Sequence, residues 1–344
     1  MRKYVAQRVA LILLTTFIIL SLTFILMKLL PVDKPIGLIP AQLAFYNKQV
    51  ALGYMYTLEP TAANELIADI KIIDGGNVSL YSSYSVMQQY FTWLGNIITK
   101  FDWGTSTAIS LGTSAIDIIA RKLPFSMKIN VIALVIAVPL GFFFGILAAL
   151  KKNKMTDHVI STLVMVFISV PSFVIITFLI LIFGYSLEWL PTTWESSLAP
   201  ISQQIKSYII PVGALCFGTV SGFARYTRAE LTEVMSSEFL LLARTKGLTK
   251  SQTVVRHAMR NSMVPIVPMI IGEFIGILGG SMILEQLYGI PGIGSLFVTA
   301  INLKDYNVVM VDMAIYTMIG LTATLLVDLS YGIVDPRIRM GAKK

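Results

Sequence analysis

Long apolar runs separated by shorter polar segments dominate the chain. Val9 to Leu30 is almost unbroken hydrocarbon, and similar runs follow at about 129–150, 159–185, 208–224, 264–287 and 308–334. At about 1.5 Å of rise per helical residue, such runs match the roughly 30 Å hydrocarbon core of a bilayer. The pattern therefore predicts an all-α integral membrane protein with six transmembrane helices. Pro139 and Pro171 fall inside the second and third runs, where kinks are expected. Glycines recur four apart at Gly141 and Gly145, at Gly218 and Gly222, and through Gly272, Gly276 and Gly280. That spacing lets helix backbones approach closely in lipid.

The polar segments divide the chain into three parts: 1–30, a large loop over 31–128, and a core over 129–344. The first half of the loop, 37–85, mixes Gly, Asn, Ser and charged residues, and Asp74-Gly-Gly-Asn77 is a turn signal. From Val86 the loop becomes aromatic, with Tyr90, Phe91, Trp93, Phe101 and Trp103 in an amphipathic stretch suited to the membrane interface. A short helix over Ser114–Lys122 is expected to stop before Pro124. Such a loop serves as a lid over the outer helix ends or as a dock for an extracytoplasmic partner.

Composition narrows the class. Hydrophobic residues make up 55% of the 344 positions and charged residues 13%, about half the charge of a soluble domain, and the mean hydropathy is +0.75. A net charge of +8 would suggest nucleic acid only if the cations formed one solvated patch. They do not. With the amino terminus inside, the inner segments hold seventeen basic residues against five acidic ones, whereas the outer segments hold ten of each. The bias puts both termini in the cytoplasm. Arg2, Lys3 and Arg8 before the first run resemble a secretory signal, but the run is too long and lacks a small-residue cleavage site.

The chain has one cysteine, Cys216, so no intrachain disulfide forms, and two histidines, His158 and His257. No Gly-Lys dipeptide, HExxH or CxxC occurs. A phosphate-binding loop is thereby excluded, and no catalytic, cofactor-binding or metal-ligating residue is expected. A transporter of this composition draws its energy from elsewhere.

The inner segment 225–263 carries the strongest signal. Ser236-Ser237-Glu238 is a helix start, Phe239 to Thr245 a short apolar helix, and Gly247 its stop. A second helix, basic through Arg256, His257 and Arg260, runs from about Ser251 toward Pro265. An apolar helix displayed on the cytoplasmic side buries itself either in a groove of a partner protein or among lipid headgroups.

Phe239-Leu-Leu-Leu-Ala-Arg-Thr-Lys-Gly-Leu248, followed by Arg256-His-Ala-Met-Arg-Asn-Ser-Met-Val-Pro265, resembles the cytoplasmic coupling loop of bacterial ABC importer permeases. Within them it is similar to the peptide branch, which reads approximately ARAKGL and RHALRNALLP. The general motif has Glu-Ala-Ala before the glycine where this chain has Leu241-Leu242-Ala243, a departure usual in that branch. Tyr288-Gly-Ile-Pro-Gly-Ile-Gly294 with Lys304-Asp-Tyr306, Leu190-Pro191, and Asp328-Leu-Ser-Tyr331 through Asp335-Pro-Arg-Ile-Arg339 resemble further family segments. The amino-terminal layout is that of a B-type subunit, and the insertion 37–85 departs from the shorter loop usual there.

The resemblance implies a type I importer in the bacterial cytoplasmic membrane. In it, this chain and a C-type permease would form the pore, and two ATPase subunits would bind ATP and Mg. An extracytoplasmic peptide-binding lipoprotein would deliver the cargo. ATPase closure would then move the helix over 238–247, with Phe239 and Leu242 as buried anchors, Arg244 and Lys246 pairing at the groove rim, and Glu238, Ala243 and Gly247 completing the lever. Ionisable groups at membrane depth face the bundle interior, which makes Glu273, Asp312 and Asp328 candidates for the translocation path. Glu273 either lines the path or hydrogen-bonds a neighbouring helix, and Asp328 either lines it or pairs with Arg337 or Arg339. Glu285 and Lys28 are expected to snorkel from outer helix ends. The competing readings are a permease for a nickel chelate, glutathione or a sugar-like solute, an ion-driven secondary transporter, and a structural assembly protein. The second would show repeated halves, and no convincing repeat is present.

Overall fold

A computed structural model describes residues 2–29, 38–276 and 280–334. In chain order the elements begin with α1 (Arg2–Leu29), α2 (Ile39–Ala51), β1 (Met55–Leu58), α3 (Ala62–Ile67), β2 (Ile70–Asp74), β3 (Asn77–Ser83) and α4 (Val86–Lys100). There follow α5 (Ala115–Leu150), α6 (Met155–Ser169), α7 (Ser172–Leu179, continued as a π-helix over Ile180–Ser186) and α8 (Ile201–Met235). Then come α9 (Glu238–Thr245), α10 (Lys250–Thr253, continued as a π-helix over Val254–Ala258), α11 (Met259–Gly276), α12 (Met282–Tyr288), α13 (Ile293–Asn302) and α14 (Tyr306–Val334). They form two compact units: Met1–Leu123 with Leu296–Met318, and Pro124–Ser295 with Ile319–Lys344.

In the first unit the 37–85 insertion adds to the helical plan a three-stranded antiparallel sheet of order β1-β3-β2. Asp74 pairs with Asn77 across the predicted turn, and Gly75 and Gly76 both take positive φ, +55° and +97°, as a two-residue hairpin of this twist requires. Tyr81 of β3 stacks on Tyr46 of α2 at 5.2 Å. The aromatic helix α4 is not a free interfacial helix. Its Tyr90 and Trp93 turn inward onto Phe24 of α1, and the Tyr90 hydroxyl meets the Ser21 hydroxyl at 2.8 Å. Lys28 lies over the rings of Phe24 and Tyr54. The buried Asp305 accepts from Ser106 Oγ at 2.5 Å and from the amides of Thr107, Ala108 and Ile109. One carboxylate thus shapes the loop before α5.

Among the described residues, four helices are long and apolar enough to cross a membrane, namely those of α1, α5, α8 and α14, and α6 with α7 makes up to five. Three expectations change. The second run is not preceded by a separate helix over Ser114–Lys122: α5 continues through Pro124 and Pro139 for 36 residues, because a proline removes one donor and neighbouring groups at membrane depth tolerate the loss. The third run, 159–185, is two helices bent by 100°. Pro171 cannot donate to the helical ladder and drives Val170 to φ −93°, ψ 120°. The fifth run, 264–287, is also broken, since Gly280 sits at φ +63° and Ser281 is extended before α12 begins.

That last break is explained by Glu285, which does not snorkel but is 2% exposed. Its carboxylate accepts from Ser126 Oγ at 2.6 Å and from the amides of Ser281 and Ser295. Ser126 Oγ in turn accepts from Ile293 N. A Cβ at Gly280, Gly292 or Gly294 would crowd the same carboxylate, so the glycine-rich loop is the shell of a buried anion. Tyr288 donates to the Pro191 carbonyl at 2.9 Å and its own carbonyl accepts from Trp194 N at 2.8 Å. Two of the segments singled out in the sequence therefore meet.

Of the glycine stripes, Gly272 of α11 meets Val327 of α14, where a Cβ would lie 3.3 Å away, and Gly141 and Gly145 mark the tighter crossing. A Cβ there would strike Phe223 and Thr227 of α8. Among the described residues, Gly218, Gly222 and Gly276 face nothing within 4 Å.

Candidate functional site: the helix after α8

Helix α8 ends at Met235, where the Ser236 and Ser237 hydroxyls donate to the carbonyls of Glu233 and Val234. The two serines close α8 and leave the start of α9 to the Ser237 backbone carbonyl, which accepts from Leu240 N and Leu241 N. The expected side-chain N-cap is replaced by a C-cap. Helix α9 stops as expected at Gly247, φ +89°, with Leu248 N reaching back to the Ala243 carbonyl in the six-to-one bond of a glycine-terminated helix. Thr249 and Gln252 then exchange side-chain and backbone hydrogen bonds, a capping box that opens α10. The second basic helix reaches Pro265 as expected and runs on through it, since Pro265 lies inside α11. His257 and Arg260 are exposed.

The burial of α9 is one-sided. Leu240 is 1% exposed and packs with Ala149 of α5, Leu231 of α8 and Ala258 ahead of α11. Phe239, Leu241 and Leu242 are 43%, 64% and 57% exposed. Phe239, Leu242 and Lys246 share one face at helical spacing, and Glu238, Lys246 and Gly247 are exposed while Ala243 is partly buried. The Arg244 side chain lies outside the described residues. Sequence reasoning missed Leu240: three consecutive leucines gave no sign of which one faces inward. Leu240→Ala is expected to lower stability by about 3 kcal/mol and to loosen α9, checked by thermal melting of the detergent-solubilised protein and by protease cutting after Arg244. An unchanged melting curve and cutting pattern would refute the anchoring role.

One further feature braces this end of the bundle. Arg228 of α8 holds Asp157 of α6 through both carboxylate oxygens at 2.5 and 2.8 Å. Asp157 also accepts from Asn153 N and Ser161 Oγ, so an apparently surface carboxylate is fully used.

The path candidates occupy different surroundings. Glu273 is exposed and lines a cavity of about 260 Å³ with Ser172, Thr219, Gly218, Gly222 and Met269, which is where the unused glycines of α8 open. Asp312 is fully buried in the first unit. Asp328 is half-buried on α14, and its expected partners Arg337 and Arg339 lie outside the described residues. Among the described residues no group of three or more His, Cys, Asp or Glu side chains would hold a metal ion.

Comparison with known proteins agrees with this architecture. Residues 141–340 match the family described as binding-protein-dependent transport system inner membrane component. A dipeptide transport system permease protein of Lactococcus lactis subsp. cremoris is 35% identical over 99% of this chain and 100% of its own length. An oligopeptide transport system permease protein of Haemophilus influenzae is 33% identical over 98% and 100% respectively. A solved structure of the MetNI methionine ABC transporter, in inward-facing conformations, contains a chain similar in fold, with a TM-score of 0.50 and 14% identity, over 64% of this chain and 97% of that one.

Proposed function

The chain belongs to the family of binding-protein-dependent transport system inner membrane components, and we propose that it is the B-type membrane subunit through which an ATP-driven importer carries oligopeptides into the cytoplasm. It is a multi-pass membrane component of an ABC importer, and ATP and Mg are the business of two partner ATPase subunits. A C-type permease completes the pore, and an extracytoplasmic lipoprotein delivers peptide. The observation that carries the coupling role is the outward face of α9. Phe239, Leu241 and Leu242 stand exposed on a helix whose remaining leucine is locked inward, and an apolar helix face of that kind is recognised by a groove. The cargo class rests on the peptide-permease relatives, which match the chain end to end.

Glu273 is the favoured path residue of the three candidates, since it alone combines exposure with a cavity at membrane depth. Asp312, buried in the first unit, and Asp328, half-buried on α14, are candidates for the path in other conformations of the transport cycle.

The experiment is reconstitution. Proteoliposomes holding this chain, its permease partner and the ATPase subunits should accumulate labelled oligopeptide only with ATP and binding protein present. Uptake by this chain alone, driven by an ion gradient, would overturn the reading.

A further inference from the structure

Helices α5, α6 and α8 enclose a groove of about 900 Å³ whose walls are almost wholly hydrocarbon. On α5 the lining runs Ile132, Ile136, Leu140, Phe144, a stripe four residues apart, and on α8 it runs from Ile205 to Ala224. At about 1.5 Å per residue the α8 wall is close to the full hydrocarbon thickness of a bilayer. The two ends differ. Toward α9, one turn beyond the lining residues Ile160 and Ala224, stand Asp157 and Arg228, whose charges are matched by their ion pair. At the far end one more turn of the α5 stripe brings Lys128, and Lys206 flanks Ile205 on α8. Both are exposed, and neither has an ion-pair partner among the described residues. Tyr208 lines the same end and packs against Trp194 at 4.7 Å, the tyrosine–tryptophan pairing that marks headgroup level.

We propose that this groove is a binding site for an anionic phospholipid, with acyl chain along α5, α6 and α8 and phosphate between Lys128 and Lys206. The hydrocarbon walls accept a chain without leaving a polar group unsatisfied. Two unneutralised ammonium groups at one mouth select a headgroup with net negative charge. The matched pair at the other end offers no such attraction, which fixes the lipid's direction. A helix of a partner subunit would fill the walls equally well but would need an acidic residue at that mouth to match the two lysines.

Cys216 lines the groove and is the chain's only cysteine, so it reports on the occupant. The assembled importer, with partner cysteines replaced, is labelled at Cys216 with a fluorophore and placed in nanodiscs containing brominated-chain phosphatidylglycerol or phosphatidylcholine. Phosphatidylglycerol should quench at a mole fraction about 25-fold lower, fivefold for each lysine. That advantage should fall about fivefold for each of Lys128→Gln and Lys206→Gln. Native mass spectrometry of the unlabelled complex should show retained phosphatidylglycerol that the double variant loses, which keeps the test independent of the label. Equal quenching by both lipids, or no quenching with Cys216 crosslinking to a partner helix, would overturn the site.

Discussion

Leu242→Asp is expected to leave the chain inserted in the membrane at normal abundance while ATP-dependent peptide uptake falls by about two orders of magnitude. Leu242 is 57% exposed, so an aspartate there meets water when the subunit stands alone and costs the fold little. Seated in an apolar groove of an ATPase, the same carboxylate is buried without a partner, a penalty of about 3–5 kcal/mol. Gly247→Pro reaches the same end by another route. A pyrrolidine ring holds φ near −65°, whereas the chain needs +89°, so the end of α9 is rebuilt and its outer face is re-aimed. Uptake in proteoliposomes, normalised to inserted protein by immunoblot, decides the matter. Wild-type uptake by Leu242→Asp would remove α9 from the coupling path.

The second large effect concerns Glu285. Glu285→Ala is expected to destabilise the chain by about 3–5 kcal/mol, because the amides of Ser281 and Ser295 and the hydroxyl of Ser126 lose their acceptor inside a closed shell. Gly292→Ala should be comparably harmful, since its methyl group would occupy the space of the Glu285 carboxylate and Ser126 Oγ. Both variants should show reduced membrane abundance and a lowered thermal transition in detergent. An unchanged transition in Glu285→Ala would mean that the glycine-rich loop holds its shape without the carboxylate.

What the sequence discloses follows from the range of each interaction. The apolar runs locate the membrane helices because burial in lipid is read residue by residue. The ends of α9 are legible because Gly247 stops a helix through its own backbone. Breaks were harder. Pro171 signals a kink, but its 100° angle depends on what packs on either side. The break before Met282 depends on a glutamate and a serine 159 residues apart, which no local pattern connects. Glu285 reads locally as a snorkelling residue for the same reason, and of the small sheet in the insertion only the Gly75-Gly76 turn is legible in the local pattern.

Leu240 sets the buried side of α9 in one apolar cluster with Ala149 of α5, Leu231 of α8 and Ala258 at the entry to α11. Under the coupling role proposed above, a push on the outer face of α9 would reach three helices together through that cluster, which favours a change of tilt of the group over a sliding of helices past one another.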